Sequence, residues 1–216
     1  MASVRGNAYH AGPSADPAEM EGCLMVISLC RSDEAADLIE VLAVPYRATA
    51  AYRSLLQLGA RALPAVRAGL RHGNADVRFH CCRFLDRYLQ PDTLADLLAM
   101  LDDADQRVRI TTLHTLACDR CKEGSCQPEE AEVLPRAMEL LAKDPSAHVR
   151  AMAIEVVGRF VHGNRHAAAA IEAAVQSDPS SAVRKKAGWY APGGAIHGRS
   201  APGRPRRAVA SPSGDG

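Results

Sequence analysis

Four gap-free heptads constrain this chain more than any other feature: His72-Gly-Asn-Ala-Asp-Val-Arg78, Asp103-Ala-Asp-Gln-Arg-Val-Arg109, Asp144-Pro-Ser-Ala-His-Val-Arg150 and Asp178-Pro-Ser-Ser-Ala-Val-Arg184. Their arginines follow one another at steps of 31, 41 and 34 residues. Self-similarity at such a period limits the fold to an array in which one supersecondary unit is copied along an axis. Three positions before each Val stands Asn74, Asp105, Ser146 or Ser180, side chains able to accept from the free N–H groups of a first helical turn. Each heptad is therefore expected to open a helix. Val149, Met152, Ala153, Val156, Val157 and Phe160 recur at three- and four-residue steps, as do Val77, Cys81, Phe84, Leu85 and Tyr88, so one face of each helix is buried. A small residue (Cys81, Thr112, Ala153, Ala187) stands four places after every Val. A partner helix is expected ahead of each heptad, at roughly 60–71, 91–102, 129–142 and 165–176.

Composition agrees. Hydrophobic residues make up 47% of the chain and aromatics 4%, an Ala/Leu/Val-rich balance that suits helices and disfavours strand-rich barrels. The net charge of +1 gives no electrostatic footprint for nucleic acid. No apolar run approaches the roughly 20 residues of a membrane-spanning helix. The first residues lack the basic and apolar regions of a secretory signal, so the expected compartment is the cytoplasm. Seven cysteines, an odd number spread along a helical chain, read as reduced thiols and not as a disulfide framework.

The helix–turn–helix unit with Asp and Arg six residues apart resembles the HEAT repeat, including its bacterial subgroup similar to phycobilin-lyase repeats, over about residues 60–189. The resemblance implies an all-α fold: a right-handed α-solenoid of antiparallel helix pairs, an armadillo-like superhelix of about four to five repeats. It also implies a ladder of hydrogen bonds between successive repeats, carried here by Asp103 and Arg109, Asp144 and Arg150, and Asp178 and Arg184; His72 departs from that pattern in the first unit. The function implied is that of a non-enzymatic scaffold binding a protein partner on the concave surface formed by the second helices. On those helices the stripe Arg83, His114, Glu155 and Trp189, with Arg87, Cys118 and Arg159 one turn on, forms the candidate partner-binding face.

The rest of the chain divides around the repeats. Residues 1–15 read as a flexible N-terminus and 16–59 as capping helices with a degenerate repeat. Asp16-Pro17-Ala-Glu19 has the order of a helix start. Ser32 is expected to begin a helix to about Leu42, Pro45 to break it, and 47–58 to form another, with Leu55, Leu56 and Leu58 inward. From 190 to 216, 13 of 27 residues are Gly, Pro or Ser, and that tail is expected to be disordered. Its four arginines against Asp215 take +3 of the +1 total, leaving −2 for residues 1–189.

The longest step contains an insertion at 118–128 with three cysteines. His114, Cys118, Cys121 and Cys126 read H-x3-C-x2-C-x4-C, the ligand count of a closed structural Zn2+ site that would staple the loop. An iron–sulfur cluster could use the same ligands. Cys81 or Cys82 could replace His114, although Cys81 falls at the small-residue core position. An enzyme of lyase or redox type, handling a cofactor or tetrapyrrole at this cluster, is the second reading, and a DNA-binding protein the third. Phosphate-binding, nucleophile-elbow and H-E-x-x-H motifs do not occur.

Overall fold

The computed structural model describes residues 35–118 and 128–199. The N-terminal segment with its expected first helix, the inserted cysteines Cys121 and Cys126, and the tail from 200 lie outside the described residues. Among the described residues the regular elements are helices, arranged as five antiparallel pairs. These are α1 (Ala35–Val41) with α2 (Pro45–Leu58), α3 (Leu63–Gly69) with α4 (Ala75–Tyr88), α5 (Pro91–Ala99) with α6 (Gln106–Ala117), α7 (Glu130–Lys143) with α8 (Ala147–Val157), and α9 (Arg165–Ser177) with α10 (Ser181–Tyr190). Short 3-10 turns, Gly59–Ala62 and Met100–Asp102, adjoin α3 and α5. The second helices stack directly, α4 on α6, α6 on α8 and α8 on α10, which gives the array one continuous inner layer.

Local chemistry explains the boundaries. Asn74 and Asp105 cap α4 and α6, accepting from the N–H groups of Asp76 at 2.8 Å and Arg107 at 2.7 Å. Ser146 and Ser180 occupy the same position without a side-chain cap, contrary to the sequence expectation. Their backbone N–H groups instead donate to Asp144 and Asp178, each at 2.8 Å, so the turn is closed by the aspartate two residues earlier. Pro45 is the first residue of α2 and does not merely end α1, because the N–H that proline lacks is one a first turn leaves unpaired.

The buried seam follows the predicted stripe. Val77, Val108, Val149 and Val183 are fully buried, and so are the small residues Cys81, Thr112, Ala153 and Ala187 beneath them. Small side chains at that register let neighbouring helices approach closely. Gly69 on α3 takes this furthest: a Cβ there would lie 2.6 Å from the Cys81 sulfur and 3.1 Å from Ile39. Thr115 is buried and satisfied, its hydroxyl donating to the Cys82 carbonyl at 3.3 Å. Of the three leucines expected inward on α2, Leu55 is buried, while Leu56 and Leu58 are half-buried.

Along one edge, charged rungs join successive pairs. Arg78 Nε and Nη2 donate to the two carboxylate oxygens of Asp103 at 2.6 and 2.8 Å. Arg109 grips Asp144 in the same fork at 2.8 and 3.1 Å, and Arg150 grips Asp178 at 2.8 and 3.0 Å. Each Nη1 also donates to carbonyls of its own turn, in Arg184 to Asp178 at 2.6 Å and Pro179 at 3.2 Å. One arginine thus closes its own turn and clamps the next unit. In the first unit His72 takes over the turn bond, its Nδ1 accepting from the Asn74 N–H at 2.9 Å, while its other nitrogen faces Glu40 at 3.5 Å.

At the C-terminal end, the disorder expected from 190 does not extend to residues 191–199. The Trp189 carbonyl accepts from the N–H groups of Ile196 at 2.8 Å and His197 at 3.0 Å, and the His197 ring lies 4.3 Å from that of His162. Tyr190 lies across Gly158, where a Cβ would fall 2.1 Å from its ring.

Candidate functional site

The inner layer forms an open cleft of about 560 Å³. Tyr52 and Leu56 of α2, Phe79, Arg83, Asp86 and Arg87 of α4, Ile110, Thr111 and His114 of α6, and Met152 of α8 form its walls. Helical spacing explains why one helix supplies so many lining residues: positions three and four apart share a face, so Phe79, Arg83 and Asp86 all point the same way while Cys81, Phe84 and Leu85 point into the core.

Aromatic rings hold Arg83. Its guanidinium lies 4.5 Å from the Tyr52 ring centre and 5.6 Å from that of Phe79. Tyr52 is fixed in turn, its hydroxyl donating to the Arg83 carbonyl at 3.2 Å. The His80 ring lies 5.5 Å from that of Tyr52, tilted by 40°; its burial, reinforced by the Arg83 charge, lowers its pKa and keeps it neutral at neutral pH. Burial likewise raises the Tyr52 pKa above the ordinary phenol value. Arg87 makes no ion pair among the described residues.

The stripe residues are distributed unequally. Arg83, Arg87 and His114 meet at the cleft. Glu155 lies further along and receives a bond from Lys186 at 2.6 Å, tying α8 to α10. Arg159 donates to the Leu116 carbonyl at 2.8 Å, where the end of α6 leaves carbonyls without helical partners. Trp189 lies at the far end, 43% exposed. Sequence reasoning missed Tyr52, Phe79, Thr111, Met152 and Asp86.

Of the four cysteine–histidine ligand candidates, His114 and Cys118 are described, His114 in the last turn of α6 and Cys118 as the residue that caps it. With them stands Asp86 of α4: one ligand atom from each of the three lies within 4.8 Å of the others. Asp86 Oδ2 is 3.8 Å from His114 Nε2, and Asp86 Oδ1 is buried without a hydrogen-bond partner among the described residues. Cys81 and Cys82 are enclosed in the core, and burial pushes the Cys82 thiol up to about 12. Neither belongs to the group of ligand atoms gathered at His114 and Cys118 among the described residues.

Residues 32–117 match the family model for HEAT repeats. No curated protein matches the sequence significantly. Among solved structures, an engineered protein from a structural genomics consortium is similar at 17% identity, over 81% of this chain and 84% of that one, with a TM-score of 0.44. A designed armadillo repeat protein is similar at 14% identity, over 76% of this chain and 95% of that one, with a TM-score of 0.31. No helix among the described residues is long and apolar enough to cross a membrane. Residues 32–117 are thus similar to HEAT repeats, and the same helix pairs and arginine–aspartate rungs continue beyond that match to Tyr190.

Proposed function

We propose that this chain is a non-enzymatic scaffold of the cytoplasm that binds a protein partner along its second helices, in the cleft between Tyr52 and Met152. The observation that carries this reading is Arg83, held between Tyr52 and Phe79 on an open cleft with Arg87 one turn away. Arginines and aromatic rings fixed in place lose little conformational freedom when a partner arrives, and these residue types dominate binding energy at interfaces. The same reading includes a Zn2+ staple at the inserted loop, with His114, Cys118, Cys121 and Cys126 as ligands.

Affinity capture from a cell extract, compared across variants, tests the binding face. Arg83→Glu is expected to abolish capture of the partner, while Lys143→Glu on α7, outside the cleft, leaves it intact. Equal capture by both variants refutes the cleft as the binding face. The enzymatic alternative draws on the same His114–Cys118 cluster; it predicts a bound chromophore, visible as absorbance above the protein bands, in the purified reduced chain.

A further inference from the structure

We propose that Asp86, His114 and Cys118 form a zinc site at one end of the cleft, in which the aspartate is supplied by the neighbouring helix pair. The inference rests on the Zn2+ reading above for His114 and Cys118 and departs from it in the third ligand.

Three observations carry it. First, the candidate ligand atoms already lie within 4.8 Å of one another, with Asp86 Oδ2 and His114 Nε2 at 3.8 Å. Ligands about 2.0–2.3 Å from a tetrahedral zinc ion stand roughly 3.3–3.8 Å apart, so the set is within about 1 Å of zinc spacing. Second, His114 lies in the last turn of α6 and Cys118 caps that turn, its N–H donating to the His114 carbonyl at 2.8 Å, so the two stand together at the helix end. Third, Asp86 is half-buried, yet it lacks the partners that the buried rung carboxylates have. Asp103, Asp144 and Asp178 each receive an arginine fork and a backbone N–H, whereas Asp86 Oδ1 is buried with no donor among the described residues. A buried acceptor left without a donor is costly, and a divalent cation would remove that cost.

The donor set is chemically consistent. Imidazole, thiolate and carboxylate together suit zinc better than calcium or magnesium, which prefer oxygen alone. Two anionic ligands balance the charge of the ion. Three protein ligands suffice to hold zinc, with the fourth position taken by another donor. The ion would clamp α4 to α6, fixing the wall of the cleft that carries Arg83 and Arg87.

Zinc affinity of the full-length reduced chain, stripped with a chelator and titrated against a chromogenic competitor, tests the site. Loss of an outer-shell partner weakens metal sites by about 10–100-fold, so Asp86→Asn, which removes a direct ligand, should weaken zinc at least that much. His114→Ala and Cys118→Ser should do the same, and circular dichroism of each metal-free variant should match the parent. Zinc affinity unchanged by Asp86→Asn but lost in Cys121→Ser and Cys126→Ser overturns the aspartate site and leaves the loop staple standing. No zinc binding by the parent chain at micromolar metal overturns both. Cobalt substitution gives an independent readout: an absorption band sensitive to Asp86→Asn supports direct ligation, and one that ignores it counts against the proposal.

Discussion

Arg78 and Arg87 stand nine residues apart on α4 in opposite electrostatic surroundings. Arg78 is locked in a two-bond fork with Asp103 and donates to the carbonyls of its own turn. Arg87 faces the cleft without an ion pair, and Asp86 beside it has a buried oxygen that no donor reaches, both among the described residues. The same residue types thus serve architecture on one edge of the array and remain available for a ligand on the inner face. The lesson is about satisfaction: where every donor and acceptor is paired, a charge explains the fold, and where one is left over, it is available to a ligand.

The largest test of that contrast removes a rung. Arg109→Ala leaves Asp144 buried without its cation, and breaking such a pair should cost about 3–5 kcal/mol, read as a lower urea midpoint. Arg87→Ala, by comparison, should stay within about 0.5 kcal/mol of the parent in the same titration. A similar cost for both would dissolve the distinction between the two regions. Next in size, Gly69→Ala drives a methyl group into the Cys81 sulfur and Ile39, and overpacking of this kind should cost about 1–3 kcal/mol.

Acid should act on the rungs and leave the cleft arginines untouched. Burial by itself would raise the Asp178 pKa, but the Arg150 fork, the Ser180 N–H and the nearby positive charges outweigh it and hold the carboxyl below its usual range; Asp103 behaves alike with Arg78 and Asp105. A depressed folded-state pKa means that this stabilisation is complete above the unfolded value of about 3.9 and is lost as the pH falls through the folded values. Urea midpoints should therefore decline slightly below about pH 6.5, where the unfolded chain protonates His80 and the folded chain resists it, and drop steeply below about pH 4, and Arg150→Ala should shrink the steep drop. The smallest effect belongs to Arg83→Ala, which removes ring contacts worth about 0.5–1 kcal/mol at an exposed site. Its thermal shift should be slight even though capture of a partner is abolished.

Much of the array could be read from the residues. The Val positions and the small side chains four places on gave the buried face, and the heptads gave the helix starts to within a residue or two. Pro45 separates two helices as expected and also starts the second, because a helix breaker and a helix starter are the same residue seen from opposite sides. Ser146 and Ser180 read as side-chain caps, but Asp144 and Asp178 do the closing, and two competing acceptors within three residues look alike in sequence. The cleft was only partly legible. Arg83, Arg87 and His114 were found by their register against each Val, but Asp86 sits one place off that register. Widening the stripe to include the ninth position after Val77 was the signal that could have found it.

What the sequence determined alone was periodic and local: the repeat length, the helix pairing, the buried seam and the turn chemistry, each set by residues within one helix or one turn of each other. What only the tertiary structure decided was pairing across units. Arg109 and Asp144 are 35 residues apart, and Asp86 and His114 meet only because α4 and α6 stack at one register. Spacing along a chain fixes which face a side chain occupies, whereas the neighbour it meets there depends on how closely the small residues let the next helix approach, and that distance is a property of the packed array.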